Sequence, residues 1–451
     1  MNAVLLFAFV FLAVLGPPVK LAAGLPVLRP EMMVVGVALA IRHTRMDFQG
    51  DVPRLLAGFG VTAAVAIGAS YGLFDVPYDG SDFSIFPMLV QYWLVYCFGL
   101  ACIRKGMRAG LLWAVVLAVS ISSFIALLQK LNLFGVNEWL TPLYVGPDGV
   151  HAFIPQWLAS GSSTSRAVGT VGDPRHCAMM FGYGVSAALT LLLAKGDRTF
   201  KIVLCAAMGI MGAGLLVTYS RTGVLATSGG FVVGLWLAVR RGGNPTIPLL
   251  MGGIAALAIL FVSGRLGVTE EESRLTMSAS EMVDTSGYAR IRDTLEPFQA
   301  SLTNPLILIT GMGPSKAVLP GSEHGETGWL VMRYGLVGFF IYLAMVRRAI
   351  IRSLWINLAG RPSEAMMASF VLKGITVWMV FFFAESVFKL AQLMSINLLL
   401  LATAAGVLGP ATRRVSRSEL GDGEARLRSN KGNTKPSSAG EQIVSDPDLQ
   451  L

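Results

Sequence analysis

The stretch "SEHGETGWLVMRYG" at 322–335 holds His324, one of only four histidines, just ahead of an apolar run that opens at Trp329. An imidazole near neutral pKa takes a proton from a hydroxyl, and Glu323 and Glu326 stand close enough in the chain to orient or bias it. Arg333 follows about two helical turns further in. An isolated loop histidine is inert, so the weight of this one rests on what accompanies it.

Three other stretches supply cationic company. "SRAVGTVGDPRH" (165–176) reads as a tight turn at Gly169 and Gly172, then Pro174 opening a helix. A helix amino terminus flanked by Arg166 and Arg175 suits an anion, though basic residues also anchor helices at an interface. "TYSRTG" (218–223) sets Arg221 between two apolar runs joined by almost nothing. An arginine at the membrane edge either snorkels or is paired, and its rigid donor fork matches phosphate oxygens. "SGYARIRDTLEPFQASLTNPLILITGMGPS" (286–315) carries Arg290 and Arg292 ahead of an amphipathic segment and an "NP…TGMGP" turn.

Together these groups describe a site that binds a polyanionic group and deprotonates a nucleophile. The chain has no HExxH, no paired Cys/His ligand set and no aspartate cluster of the kind that holds Mg²⁺, so chemistry without a metal or other cofactor is expected. Walker-type glycine loops are missing too, so an activated substrate must bring its own leaving group.

The elements that would position these residues are membrane helices. Mean hydropathy is +0.62, with 54% hydrophobic and 14% charged residues among 451, which excludes an ordinary soluble domain. The apolar runs are continuous over about 17 to 22 residues rather than alternating over about ten, so helices rather than a barrel are expected. They fall near 2–16, 30–41, 55–74, 83–102, 110–129, 177–194, 202–219, 223–239, 246–263, 328–346, 366–384 and 391–409. The resulting expectation is an all-α integral membrane protein with about 12 transmembrane helices. The second span is the least regular, being short and opened by "LRPE".

The net charge of +9 lies in short clusters between runs. Arg42/Arg45/Arg54, Arg104/Lys105/Arg108, Lys195/Arg198/Lys201, Arg240/Arg241 and Arg347/Arg348/Arg352 fall on one side, the positive-inside pattern, so nucleic acid is not the expected partner. Both termini are then cytoplasmic, and the two long loops, 130–176 and 264–327, extracytoplasmic. The amino terminus lacks a basic n-region and a small-x-small cleavage site, and reads as a retained span. Residues 1–410 form the membrane domain; 411–451 is a polar tail expected to be disordered, its first arginines resting on anionic headgroups. Cys97, Cys102, Cys177 and Cys205 read as packing residues in apolar runs. The spans are almost free of charge, with Glu385 and Lys389 placed at the outer edge.

Four of these features resemble the O-antigen ligase and Wzy-type polysaccharide polymerase superfamily of bacterial inner membranes. "RAVGTVGDPRHCAMM" resembles its arginine and glycine-turn stretch before a helix, and "YSRTG" its Ser-Arg-Thr/Gly-Gly signature. "ARIRDTLEPFQASLTNPLILITGMGP" looks like its loop from an arginine to a proline and then GxG. The spacing of His324 and Gly335 is similar to the His and Gly of the ligases. The resemblance covers about residues 160 to 345, in the family's order.

What it implies is a GT-C-like inner-membrane glycosyltransferase whose donor is an undecaprenyl-diphosphate-linked oligosaccharide. Arg166, Arg221 and Arg290 would bind the diphosphate and His324 would act as base, with Arg175, Arg292, Glu323, Glu326 and Arg333 as secondary candidates. No metal is implied. A flippase and a chain-length regulator of the same pathway are the expected protein partners. Polymerisation of repeat units into exopolysaccharide, capsule or O-antigen is the leading reading, ligation of finished glycan the alternative, and transport the third.

Overall fold

The computed structural model describes residues 2–16, 29–41, 50–74, 80–144, 166–194, 197–241, 304–313, 326–384 and 391–407. Among them every regular element is helical: α1 (Asn2–Leu15), α2 (Pro30–Ala40), α3 (Asp51–Leu73), a 3-10 turn (Gly80–Ser84), α4 (Ile85–Arg104), α5 (Arg108–Lys130), α6 (Val136–Tyr144), α7 (Pro174–Leu193), α8 (Arg198–Val217), α9 (Arg221–Arg240), α10 (Pro305–Thr310), α11 (Glu326–Ala359), α12 (Pro362–Ala384) and α13 (Ala391–Gly406). Eight of these are long and apolar enough to cross a membrane, namely α3, α4, α5, α7, α8, α9, α11 and α12, and α1, α2 and α13 are shorter apolar helices. The chain is thus an all-α, multi-pass membrane protein. The expected span at 246–263, the tail, and Glu385 with Lys389 lie outside the described residues.

Local chemistry sets the helix ends. Asp173 caps α7 by accepting from the N–H groups of Arg175 (2.7 Å) and His176 (3.3 Å), with Pro174 in the first turn, where its missing N–H costs nothing. Ser220 does the same for α9 through Gly223 N (3.1 Å), and Asn304 for α10 through Leu306 N (3.1 Å). Gly106, at φ +80°, lets the chain turn from α4 into α5.

One span is longer than the apolar run that announces it. Past the run at 328–346 the helix continues to Ala359, because no glycine or proline occurs between Val346 and Gly360. Arg347, Arg348 and Arg352 therefore lie on a helix rather than in a connection. Arg348 Nη1 pairs with Asp51 Oδ1 at 3.2 Å, and Asn357 on the same stretch is buried.

The bundle has two unlike ends. At the basic end, Arg108 Nη1 donates to Ser363 Oγ (3.4 Å) and Arg241 Nε to the Asn357 carbonyl (3.1 Å), tying α5 to α12 and α9 to α11. The opposite, loop end receives the carboxyl end of α5, the amino end of α7 and the α8–α9 turn. Between the ends, α7 packs on α5, α8, α9 and α12, while α11 packs on α3 and α12. Small residues permit the approach: a Cβ at Gly184 would stand 2.8 Å from Val119 Cβ, and one at Gly214 2.8 Å from Ser123 Cβ. Trp378 Nε1 donates to Tyr342 Oη at 2.9 Å, a buried polar pair satisfied within the core. Cys97, Cys102 and Cys177 are buried and unbridged; Cys205 is unbridged and half-buried.

Candidate functional site

Two non-helical segments are buried in the loop end, and each carries one of the sequence motifs. The first is 166–173. Ala167, Val168 and Thr170 are buried, so their backbone groups need partners inside the protein. Gln129 near the end of α5 supplies three of these bonds: its Oε1 accepts from Val168 N (3.1 Å) and Gly169 N (2.8 Å), and its Nε2 donates to the Gly169 carbonyl (3.2 Å). Ser122 and Thr170 share a hydroxyl contact at 2.7 Å, and Thr170 Oγ1 donates to the Val14 carbonyl at 2.8 Å. Gly169 (φ +54°) and Gly172 (φ +88°) occupy the left-handed backbone region that favours glycine.

This segment delivers Arg166 to the α8–α9 turn. Ala167 N donates to the Val217 carbonyl (3.1 Å), Arg166 Nε to the Thr218 carbonyl (2.9 Å) and Arg166 Nη2 to the Tyr219 carbonyl (3.3 Å). The guanidinium thus completes the carboxyl end of α8, where cations are favoured. Two residues on, Arg221 opens α9, where the helix dipole disfavours a cation and favours an anion. Lys130 Nζ lies over the Tyr219 ring, 4.8 Å from its centre. Lys130, Arg166 and Arg221 therefore gather at one four-residue turn. Lys130 escapes a reading of the sequence because it looks like an ordinary basic helix end.

Arg175 is engaged differently. Its Nη2 lies 3.2 Å from Asp173 Oδ2 and its Nε 3.3 Å from Oδ1, so its fork is turned toward its own helix cap. His176 Nδ1 lies 3.8 Å from Asp173 Oδ1. Burial works against a charged carboxyl here. The charges of His176 and Arg175 and the hydrogen bonds from Arg175 outweigh it and hold Asp173 down to about 2, from an ordinary 3.8. A depressed carboxyl contributes stability that is present above its unfolded pKa and lost as pH falls through about 2. Asp173→Ala is expected to cost about 1 to 2 kcal/mol. In thermal melts of protein in nanodiscs, Asp173→Asn should keep most of the cap and flatten the acid limb. An unchanged acid limb in Asp173→Asn would count against this assignment.

The second buried segment, 311–313, meets α11 where that helix breaks. Gly335 sits at φ 66°, ψ −179° inside α11, which frees carbonyls of the preceding turn. Met312 N donates to the Met332 carbonyl at 2.7 Å and Gly313 N to the Arg333 carbonyl at 3.0 Å. The "TGMGP" turn and the "MRYG" stretch are thus one structural unit. Arg333 places its Cζ 5.2 Å from the centre of the Trp329 ring, and Tyr334 packs on Phe59 at 4.8 Å. Nearby, the Tyr71 hydroxyl donates to Asp82 Oδ2 at 2.7 Å, and Asp82 is 1% exposed. Asp82, in the acidic "DVPYDGSD" turn, is a buried carboxylate that the sequence shows only as part of a polar loop.

Of the residues expected to form a site, Arg166 and Arg221 come together at the α8–α9 turn, while Arg175 lies in the first turn of α7, just past the first segment, and Arg333 lies on α11, where its carbonyl meets the second. Arg290, Arg292, Glu323 and His324 lie outside the described residues, as does the side chain of Glu326, which opens α11. The expectation of spans almost free of charge needs correction at Lys373. Lys373, at the midpoint of α12, is fully buried, and its Nζ has no hydrogen-bond partner. On the outer face of the bundle an apolar groove of about 360 Å³ runs between α9, α11 and α12, lined by Val233, Trp236, Ile350, Leu372, Met379 and Phe383 among others.

No model of a known protein family and no curated protein matches the chain.

Proposed function

We propose that this protein is an inner-membrane glycosyltransferase that polymerises undecaprenyl-diphosphate-linked repeat units into a surface polysaccharide. The observation that carries the reading is the convergence of Lys130, Arg166 and Arg221 on the α8–α9 turn beside a helix amino terminus. A diphosphate is the ligand such a turn suits, because it presents several oxygens to several donors. As the glycosidic bond breaks, negative charge grows on the leaving diphosphate, and cations fixed in place beforehand stabilise it most where it grows most. The apolar groove would take the polyprenyl chain.

In this reaction the acceptor hydroxyl oxygen bonds to the anomeric carbon, and the bond from that carbon to the diphosphate oxygen breaks. The hydroxyl proton passes to His324, undecaprenyl diphosphate leaves, and attack from the opposite face inverts the anomeric centre. The loop end then faces outward and both termini lie in the cytoplasm, in keeping with the basic end.

Ligation of finished glycan to a lipid or protein acceptor uses the same donor site. A different reading, transport without bond chemistry, is favoured by one observation: an ammonium buried at mid-span in Lys373 is the kind of group transporters use. Purified protein supplied with lipid-linked repeat unit decides between chemistry and transport. Release of undecaprenyl diphosphate is the expected result, and movement of intact substrate with no release would overturn the proposal. Sizing the surface glycan after gene deletion separates the two transferases: single-repeat product marks a polymerase, long unattached chains a ligase.

A further inference from the structure

The amino end of α2, opened by "LRPE", carries a pair of charged side chains that the transfer site does not use. Glu31 is 1% exposed, on the helix that packs against α1 and α4. Ser395 Oγ, on α13, donates to Glu31 Oε1 at 3.3 Å. The other carboxylate oxygen, Oε2, is buried with no hydrogen-bond partner, and so is Nη1 of Arg29, the half-buried residue that precedes α2. The two charges interact, and Arg29 also feels the buried Tyr92 of α4. Each atom alone is a costly omission in a protein interior. Here an acceptor without a donor and a donor without an acceptor stand two residues apart.

We infer that Arg29 and Glu31, with Ser395, form a hydroxyl-binding subsite for a carbohydrate. A hydroxyl is the group that answers both needs, accepting from Arg29 Nη1 and donating to Glu31 Oε2. A phosphate or carboxylate would meet the Glu31 carboxylate, and a cation would meet the Arg29 guanidinium, so the pair selects a neutral ligand. Neighbouring hydroxyls of a sugar ring suit two groups two residues apart. Arg29 is half-buried, whereas Glu31 is enclosed. Glu31 near the amino end of α2 and Ser395 near that of α13 place the subsite just inside the loop end. The choice of a carbohydrate rests on the glycan reading above; the unmatched donor and acceptor do not. There the subsite would hold the acceptor glycan, away from the diphosphate turn.

The test is binding of free sugars to full-length protein in nanodiscs, without any lipid-linked donor, so that it stands apart from the transfer assay. A panel of methyl pyranosides and oligosaccharides is scored by saturable binding and by thermal shift, with glycerol as control. At least one sugar is expected to bind saturably, and Glu31→Gln and Arg29→Gln should each weaken it by about tenfold or more, the effect of losing a hydrogen bond to a charged group. Arg29 lies at the rim, so Arg29→Gln remains informative where Glu31→Gln folds poorly. Saturable binding that persists unweakened in Arg29→Gln overturns the inference. So does the lack of any sugar-dependent shift in the wild type, which would leave the two atoms bridged by water alone.

Discussion

In His324→Ala, release of undecaprenyl diphosphate from lipid-linked repeat units is expected to fall by about 10² to 10⁴-fold, the usual contribution of a positioned general base. The loss should appear in kcat rather than in KM. Under the proposed function, diphosphate contacts from Lys130, Arg166 and Arg221 would form in the ground state as well and would not involve the imidazole. The wild-type rate should rise with pH as the imidazole loses its proton, and the variant should lose that limb. Single-turnover release measured across pH in both proteins checks each part. Release that persists undiminished in His324→Ala would remove the histidine from the mechanism while leaving the cationic turn in place.

Gly335→Ala is expected to destabilise the protein by about 3 kcal/mol or more, because two penalties coincide. Its backbone lies at φ 66°, ψ −179°, a region that glycine alone enters readily. A Cβ there would also collide with the Ile309 carbonyl and stand 2.9 Å from the Thr310 carbonyl carbon, backbone atoms that cannot step aside without breaking the Met312–Met332 and Gly313–Arg333 hydrogen bonds. Gly209→Ala and Gly212→Ala in α8 are the controls, since nothing lies within 4 Å of a Cβ at either. Those two should melt at or slightly above the wild-type temperature, as alanine favours a helix by about 1 kcal/mol over glycine. A Gly335→Ala protein that melts with the controls would show that the break in α11 does not depend on this residue.

The sequence declares this fold wherever a property is local. Continuous apolar runs mark the spans because lipid demands helices. Asp173-Pro174 and Asn304-Pro305 mark helix starts because an acceptor side chain followed by proline suits a first turn and little else. What escapes is tertiary. Gly335 is marked in the sequence only by its spacing from His324, and its break in α11 appears once the Met332 and Arg333 carbonyls are seen to meet Met312 and Gly313. Gln129 and Lys130 resemble an ordinary helix end, though one organises the first buried segment and the other stands over Tyr219. The carboxyl half of α11 is hidden because its arginines lower hydropathy while leaving helix propensity intact. Lys373 disappears into the average of the apolar residues around it. In the candidate site, Arg166, Arg175 and Arg221 are legible by type and by their place beside turns, whereas the acceptor and donor left unmatched at Glu31 and Arg29 appear only once α2 is packed against its neighbours.

Lys373 also bears on how the chain enters a bilayer. A lysine at the centre of a membrane helix adds about 2.5 to 3.5 kcal/mol to the apparent free energy of insertion, which α12 must offset with the apolar residues on either side. Its stem lies in a slot made by glycine: a Cβ at Gly234 of α9 would stand 2.9 Å from Lys373 Cδ and 2.8 Å from Leu189 Cδ2 of α7. Both α7 and α9 are synthesised before α12. A lysine packed against α7 and α9 is thus expected to make insertion of α12 depend on those helices, so that α12 expressed alone inserts poorly and inserts better when α7 and α9 precede it.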